Sequence, residues 1–173
     1  MKKILFTFII SVLAIDMSAQ IQRTFLDNVL AVSTYEEVRT NMRNKGYGIS
    51  GLINKDCAVY SYIKFAGYNC EEAYFNFIDN KFSMVTFIFE ETSIKDTDTF
   101  NSLKEKLISK YPDFKQEEKE NVVIFYDKST VLSLRNEISD STAKYVLSIS
   151  YWDFNLTKEK LLPKIRNYHP IHD

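Results

Sequence analysis

Apolar and polar positions follow three different rhythms along this chain. The first is a block. After Lys2 and Lys3, residues Ile4 to Ile15 are apolar apart from Thr7 and Ser11, and Asp16-Met17-Ser18-Ala19-Gln20 turns polar and small. Charge, short apolar core and small residues, in that order, are the pattern of a secretory signal peptide, with a core too short to span a bilayer. Cleavage after Ala19 or Gln20 is expected. No cysteine stands near the cut to carry a lipid anchor, and no later apolar stretch approaches eighteen residues. The expected location of the mature chain is therefore periplasmic or secreted.

The second rhythm has a period near 3.6 and occurs twice. Ser33 with Glu36 three places on reads as a capping box, and Tyr35, Val38 and Met42 then repeat at i, i+3, i+7. Gly46 stands where a left-handed residue closes a helix. The next helix opens near Asp96 to Asp98, presents Phe100, Leu103, Leu107 and Tyr111 on one side, and stops at Pro112. Thr24 to Val32 reads as a further short helix, and the tail from Leu156 as another, limited by Pro163.

The third rhythm is the strand's period of two. Ala58 to Phe65, Cys70 to Ile78 and Lys81 to Glu90 form one group, and Val122 to Tyr126, Thr130 to Arg135 and Lys144 to Trp152 the other. Connections as short as Asp79-Asn80 imply antiparallel neighbours, since parallel strands need long crossovers. The expected fold is α+β: an antiparallel sheet of five or six strands with two main helices on one face. Val38, Met42 and Lys45 match Leu103, Leu107 and Lys110 at an offset of 65 residues. The layout is thus either a duplicated αβββ unit or an unrepeated α+β sheet. Residues 1–20 read as the signal, 21–155 as one domain and 156–173 as a tail.

Composition narrows the function. Removing Lys2, Lys3 and Asp16 from 22 basic and 23 acidic residues leaves 20 and 22, a net charge of −2. That balance lacks the basic stripe of a nucleic-acid or anionic-lipid binder. Thirteen Phe and eleven Tyr beside four Gly and three Pro suit a sheet with a large core.

Candidate chemistry is sparse. Cys57 and Cys70 face an oxidising compartment after export, and a bridge between them would close a loop of about a dozen residues. The hairpin reading opposes this bridge, because it separates them by about eight residues along the ladder, beyond the roughly 7 Å a disulfide spans. Both histidines, His169 and His172, lie in the last five residues. They offer no base held near a nucleophile, and with Asp173 they make at most a tail metal site. No zinc spacing or Gly-rich phosphate loop is present, so no cofactor is implied. Glu36-Glu37, Glu71-Glu72, Glu90-Glu91 and Glu117-Glu118 are adjacent pairs whose members, in a strand, point to opposite faces. They are read as solvated charge, and no catalytic residue is assigned.

Strand alternation points instead to a binding face. Val59, Ile63 and Phe65, with Ala73, Phe75, Phe77, Val85, Phe87, Phe89, Leu147 and Ile149, are expected to face the helices. The opposite face then carries Tyr60, Tyr62, Tyr74 and Trp152 among Thr, Asn and Ser. Tyr and Trp combine large contact area with a polar handle and are enriched in interface hot spots. The expected function is a non-catalytic binding module for a protein or, less favoured, a glycan of the envelope or medium. An inhibitor of a secreted or periplasmic enzyme and a small hydrolase with a carboxylate site are the alternatives.

The chain also resembles a group of small, uncharacterised exported α+β domains from Gram-negative bacteria. The resemblance rests on Phe25-Leu26, Lys45-Gly46-Tyr47, Lys64 to Cys70, Val85 to Phe89, Leu103 to Leu107 and Lys110-Tyr111-Pro112. It covers most of residues 25–153, is most specific at Phe65-Ala66-Gly67-Tyr68, and brings no activity with it. The helix-then-meander layout is similar to the β-lactamase-inhibitor-protein architecture, a likeness of fold that carries no function.

Overall fold

A computed structural model describes residues 20–158 apart from Lys55. The apolar block at 1–19, the tail beyond 158 and its two histidines lie outside the described residues.

The segment 24–32 is a small hairpin, β1 (Thr24–Phe25) and β2 (Asn28–Val29), and not the expected helix. Leu26 and Asp27 in its turn take φ of 50° and 67°, a pairing that suits a two-residue hairpin and excludes helix. Tertiary contacts hold it there: Ala31 N–H donates to Phe82 O at 2.7 Å, and Asn41 donates to Asn28 at 2.9 Å.

Helix α1 (Tyr35–Asn44) starts one residue later than the sequence implies. Two capping-box frames overlap, Ser33 with Glu36 and Thr34 with Glu37, and the second is used. Thr34 Oγ1 accepts from Glu37 N–H at 3.4 Å, and Glu37 Oε2 accepts from Thr34 N–H at 2.7 Å. Ser33 is committed elsewhere: its Oγ accepts from Val29 N–H at 3.0 Å and its carbonyl from Phe82 N–H at 2.7 Å. Gly46 closes the helix at φ 84°, as expected.

Four strands follow: β3 (Ile49–Asn54), β4 (Cys57–Phe65), β5 (Tyr68–Ile78) and β6 (Lys81–Thr92). Ala66-Gly67 and Asp79-Asn80 form tight turns, both residues of each at positive φ. The pattern then repeats as α2 (Thr97–Lys110), β7 (Lys115–Lys119), β8 (Val122–Tyr126), β9 (Thr130–Ile138) and β10 (Tyr145–Asp153). Residues 154–158 are helical, starting inside the expected domain, and most of the span expected for the tail helix lies outside the described residues.

All eight long strands join one antiparallel sheet in the order β3-β4-β5-β6-β10-β9-β8-β7. The order reads the same from both ends, one helix and four strands per half, so each half carries one strand more than the αβββ unit. The two unforeseen strands, β3 and β7, are the edges. β7 is Lys-Gln-Glu-Glu-Lys, exposed throughout, with no apolar alternation to announce it and charge enough to discourage edge pairing.

The helices lie against one face. Val38 and Met42 of α1, with Phe100, Leu103 and Leu107 of α2, enter a single core with Phe75, Phe87, Leu134 and Tyr151. The core is largely aromatic: Phe65 stacks on Phe87 at 4.0 Å between centroids, and Phe25 meets Tyr151 at 4.6 Å.

An ion pair ties Arg23, just ahead of β1, to Asp153 at the end of β10. Arg23 donates to Asp153 at 2.6 Å, to Thr130 Oγ1 at 2.8 Å and to Leu30 O at 3.1 Å. The Asp153 side chain is 4% exposed. Asp127 accepts from Ile21 N–H at 2.9 Å beside it. Arg23→Ala leaves a buried carboxylate without its cation and should cost roughly 3 kcal/mol in urea unfolding. Thr34→Ala should cost about 1 kcal/mol while Glu36→Ala leaves the cap intact; equal losses would contradict the capping frame.

Candidate functional site

Strand pairing defines the face opposite the helices. One row across the sheet runs Val59, Tyr74, Thr86, Ser150, Ser133 and Ile124 on β4, β5, β6, β10, β9 and β8. A second runs Cys57, Asn76, Met84, Trp152, Val131 and Tyr126 on the same strands. Neighbours in a row are cross-strand partners whose side chains pack laterally. Tyr74, Trp152 and Tyr126 are half-buried, and Thr86 Oγ1 and Ser150 Oγ share a hydrogen bond of 2.8 Å. The surface is thus apolar and aromatic with hydroxyls between, and neither α1 nor α2 lies on it.

Two of the four expected face residues, Tyr74 and Trp152, occupy it. Tyr74 donates from its hydroxyl to Glu72 at 2.5 Å. Burial, this hydrogen bond and the Glu72 charge push its pKa up to about 12.

Tyr60 is a correction. It is 1% exposed and sits in the core on the helix side, edge-on to Phe75 at 5.4 Å. Val59, expected inside, takes the opposite face. The cause is Tyr62, which holds φ at 57° in mid-strand. One left-handed residue resets the two-residue alternation, so Tyr60 and Ile63, three apart, both point inward. Assigning all of β4 from its outer half, where Ile63 and Phe65 do face the core, inverts the inner half. The same reset separates Cys70 from Ala73 on β5, both buried. Tyr62 itself is 85% exposed and stands outside both rows.

The cysteines are free and buried. Cys57 pairs in register with Asn76 and Cys70 with Ile63, so they lie six positions apart along β4. Burial pushes the Cys70 thiol up to about 12 and raises that of Cys57. A buried thiol held protonated is a poor nucleophile.

Among the described residues no three His, Cys, Asp or Glu side chains gather as a metal site, and no helix is long and apolar enough to cross a membrane. One carboxylate pair does converge, and sequence adjacency gave no sign of it. Glu90 at the end of β6 meets Asp96, the cap of α2, whose Oδ1 accepts from Thr99 N–H at 2.9 Å. Burial raises the Glu90 pKa, and the hydrogen bond and charge of Asp96 raise it further. For Asp96, burial acts upward, but the hydrogen bonds from Thr99 and Glu90 outweigh it and its pKa is lowered. Each carboxyl thus shifts the titration of the other, Glu90 upward and Asp96 downward. One member is spent on capping a helix.

Comparison with known proteins yields no relative: no protein-family model, curated protein or solved structure matches the chain.

Because the fold raises the Glu90 pKa, ionising Glu90 costs stability, and that cost grows as pH rises above the ordinary 4.5. Asp96 behaves oppositely: its stabilising effect is present above 3.8 and is lost as pH falls through its lowered value. Glu90→Gln should therefore be more stable than wild type at pH 7, with the advantage shrinking as pH falls through 4.5. A gain that grows toward acid in thermal melts would overturn this account of the pair.

Proposed function

We propose that the chain is an exported, non-catalytic binding module that engages a protein partner through the sheet face centred on Tyr74 and Trp152. One observation carries the reading. An eight-stranded sheet has both long helices on one face, while its other face holds rows of aromatic, aliphatic and hydroxyl side chains. Such a surface is neither a charged, solvated exterior nor a filled core.

Its size fits a protein. Seven interstrand spacings of about 4.8 Å and strands averaging about eight residues give a face on the order of 900 Å², near the roughly 800 Å² one partner contributes to a standard interface. Its chemistry fits as well. Trp152 and Tyr74 are large, half-buried amphipathic anchors, and half-buried Thr86 lies between them on β6, next to Tyr74 in register. Glu72 and Arg135 border them, paired in register with Ile88 and Ser148. Inhibition of a secreted enzyme would use this same face on a single target and would show as stoichiometric binding.

Affinity capture from the envelope and medium of the host, with residues 21–173 as bait, tests the proposal. Trp152→Ala and Tyr74→Ala, each checked for native circular dichroism, should weaken the captured partner at least about 30-fold, the effect of losing a hot-spot side chain. Tyr62→Ala, exposed but outside the rows, should bind as the wild type does. A partner retained equally by all variants would reject this face.

A further inference from the structure

A second candidate site lies on the helix side of the sheet, where α1 meets β3 and β4. Helix periodicity places Glu36, Arg39, Thr40 and Arg43 on one side of α1, away from the buried stripe of Val38 and Met42. Tyr47, Gly48 and Ile49 form the facing wall, and Tyr60, paired in register with Ile49, forms the floor. The open cleft between them holds about 260 Å³.

Charge and hydrogen bonding are both unbalanced there. Arg39 donates to Glu36 at 3.0 and 3.3 Å and lies 5.6 Å from the Tyr35 ring. Arg43 has no ion-pair partner among the described residues, so the cleft carries two cations and one anion. Lys45, two residues on at the C-cap of α1, is neutralised by Asp27 at 2.6 Å. The floor carries the second imbalance. Tyr60 is 1% exposed, and its buried Oη has no hydrogen-bond partner. An unpaired buried hydroxyl costs stability that a phenylalanine there would avoid. A basic residue in the last turn of α1 is explained by the helix dipole. The hydroxyl at the cleft floor is not explained by packing or by capping.

We propose that this cleft binds the oxyanion group of a small molecule, a carboxylate or a phosphate, with Arg39 and Arg43 as cationic clamps and Tyr60 Oη as a donor from below. Guanidinium forks suit planar or tetrahedral oxyanions, and charge-assisted hydrogen bonds supply the affinity. The cleft is smaller than the roughly 300–1,000 Å³ of drug-sized sites, which selects a small acid over a nucleotide or polymer. Glu36 acts against the ligand by competing for Arg39. The site uses the opposite side of the sheet from Tyr74 and Trp152, so the two proposals stand or fall separately.

The test is an amide-resolved NMR titration of residues 21–173 with inorganic phosphate and, separately, with sodium acetate, at constant ionic strength held by chloride. Saturable shifts at Thr40, Arg43 and Gly48 are expected, and the tighter of the two probes identifies the oxyanion class. Arg43→Gln should weaken binding about tenfold. Glu36→Gln should tighten it. Tyr60→Phe should weaken it while melting no lower than wild type, which separates a donor from a packing residue. Shifts that fail to saturate, or binding unchanged in both Arg43→Gln and Tyr60→Phe, would overturn the site.

Discussion

The pairing of β6 with β10 is the constraint on which the molecule depends. Each half of the chain, one helix and four strands, has an apolar sheet face wider than a single helix can cover. Joining the halves edge to edge, from Tyr145 opposite Thr92 to Trp152 opposite Met84, lets both helices close over one core. Val85 and Phe87 then lie beside Tyr151 and Ile149, and Phe25 packs onto Tyr151 from the helix side. Arg23 secures this arrangement by binding the end of β10 through Asp153 and the start of β9 through Thr130.

The same pairing builds the centre of the opposite face. Trp152 stands beside Met84, and Ser150 hydrogen-bonds to Thr86, so neither half owns that surface alone. Binding there would read out whether the two halves are correctly joined.

Local backbone geometry then decides which side chains each face receives. Tyr62 in the left-handed region turns Tyr60 toward α1 and Val59 away from it. Two consequences follow from one residue. The aromatic face loses a tyrosine, and the cleft beneath Arg39 and Arg43 gains a buried hydroxyl. Burial pushes the Tyr60 pKa up to about 12, with Tyr35 adding to the rise and Arg39 opposing it, so the hydroxyl stays protonated and able to donate.

Much of this was legible in the residues themselves. Helical spacing with Gly46 and Pro112 marked α1 and α2, alternation marked the six inner strands, and Asp79-Asn80 marked a tight turn, because these signals arise from neighbours within a few positions. Tyr74, Trp152, Phe75 and Phe87 were assigned to the correct faces for the same reason. Edge strands β3 and β7 escaped because an edge is stabilised by one partner and can carry glycine or continuous charge. The hairpin at 24–29 and the choice of Thr34 over Ser33 were decided by hydrogen bonds to Phe82 and Asn41, distant in sequence. The meeting of Glu90 with Asp96, the burial of Tyr60 and the cleft under α1 depend on a mid-strand torsion and on elements brought together by the sheet. Short-range pattern therefore determined which segments become helix and inner strand, and only long-range packing decided which of their side chains share a site.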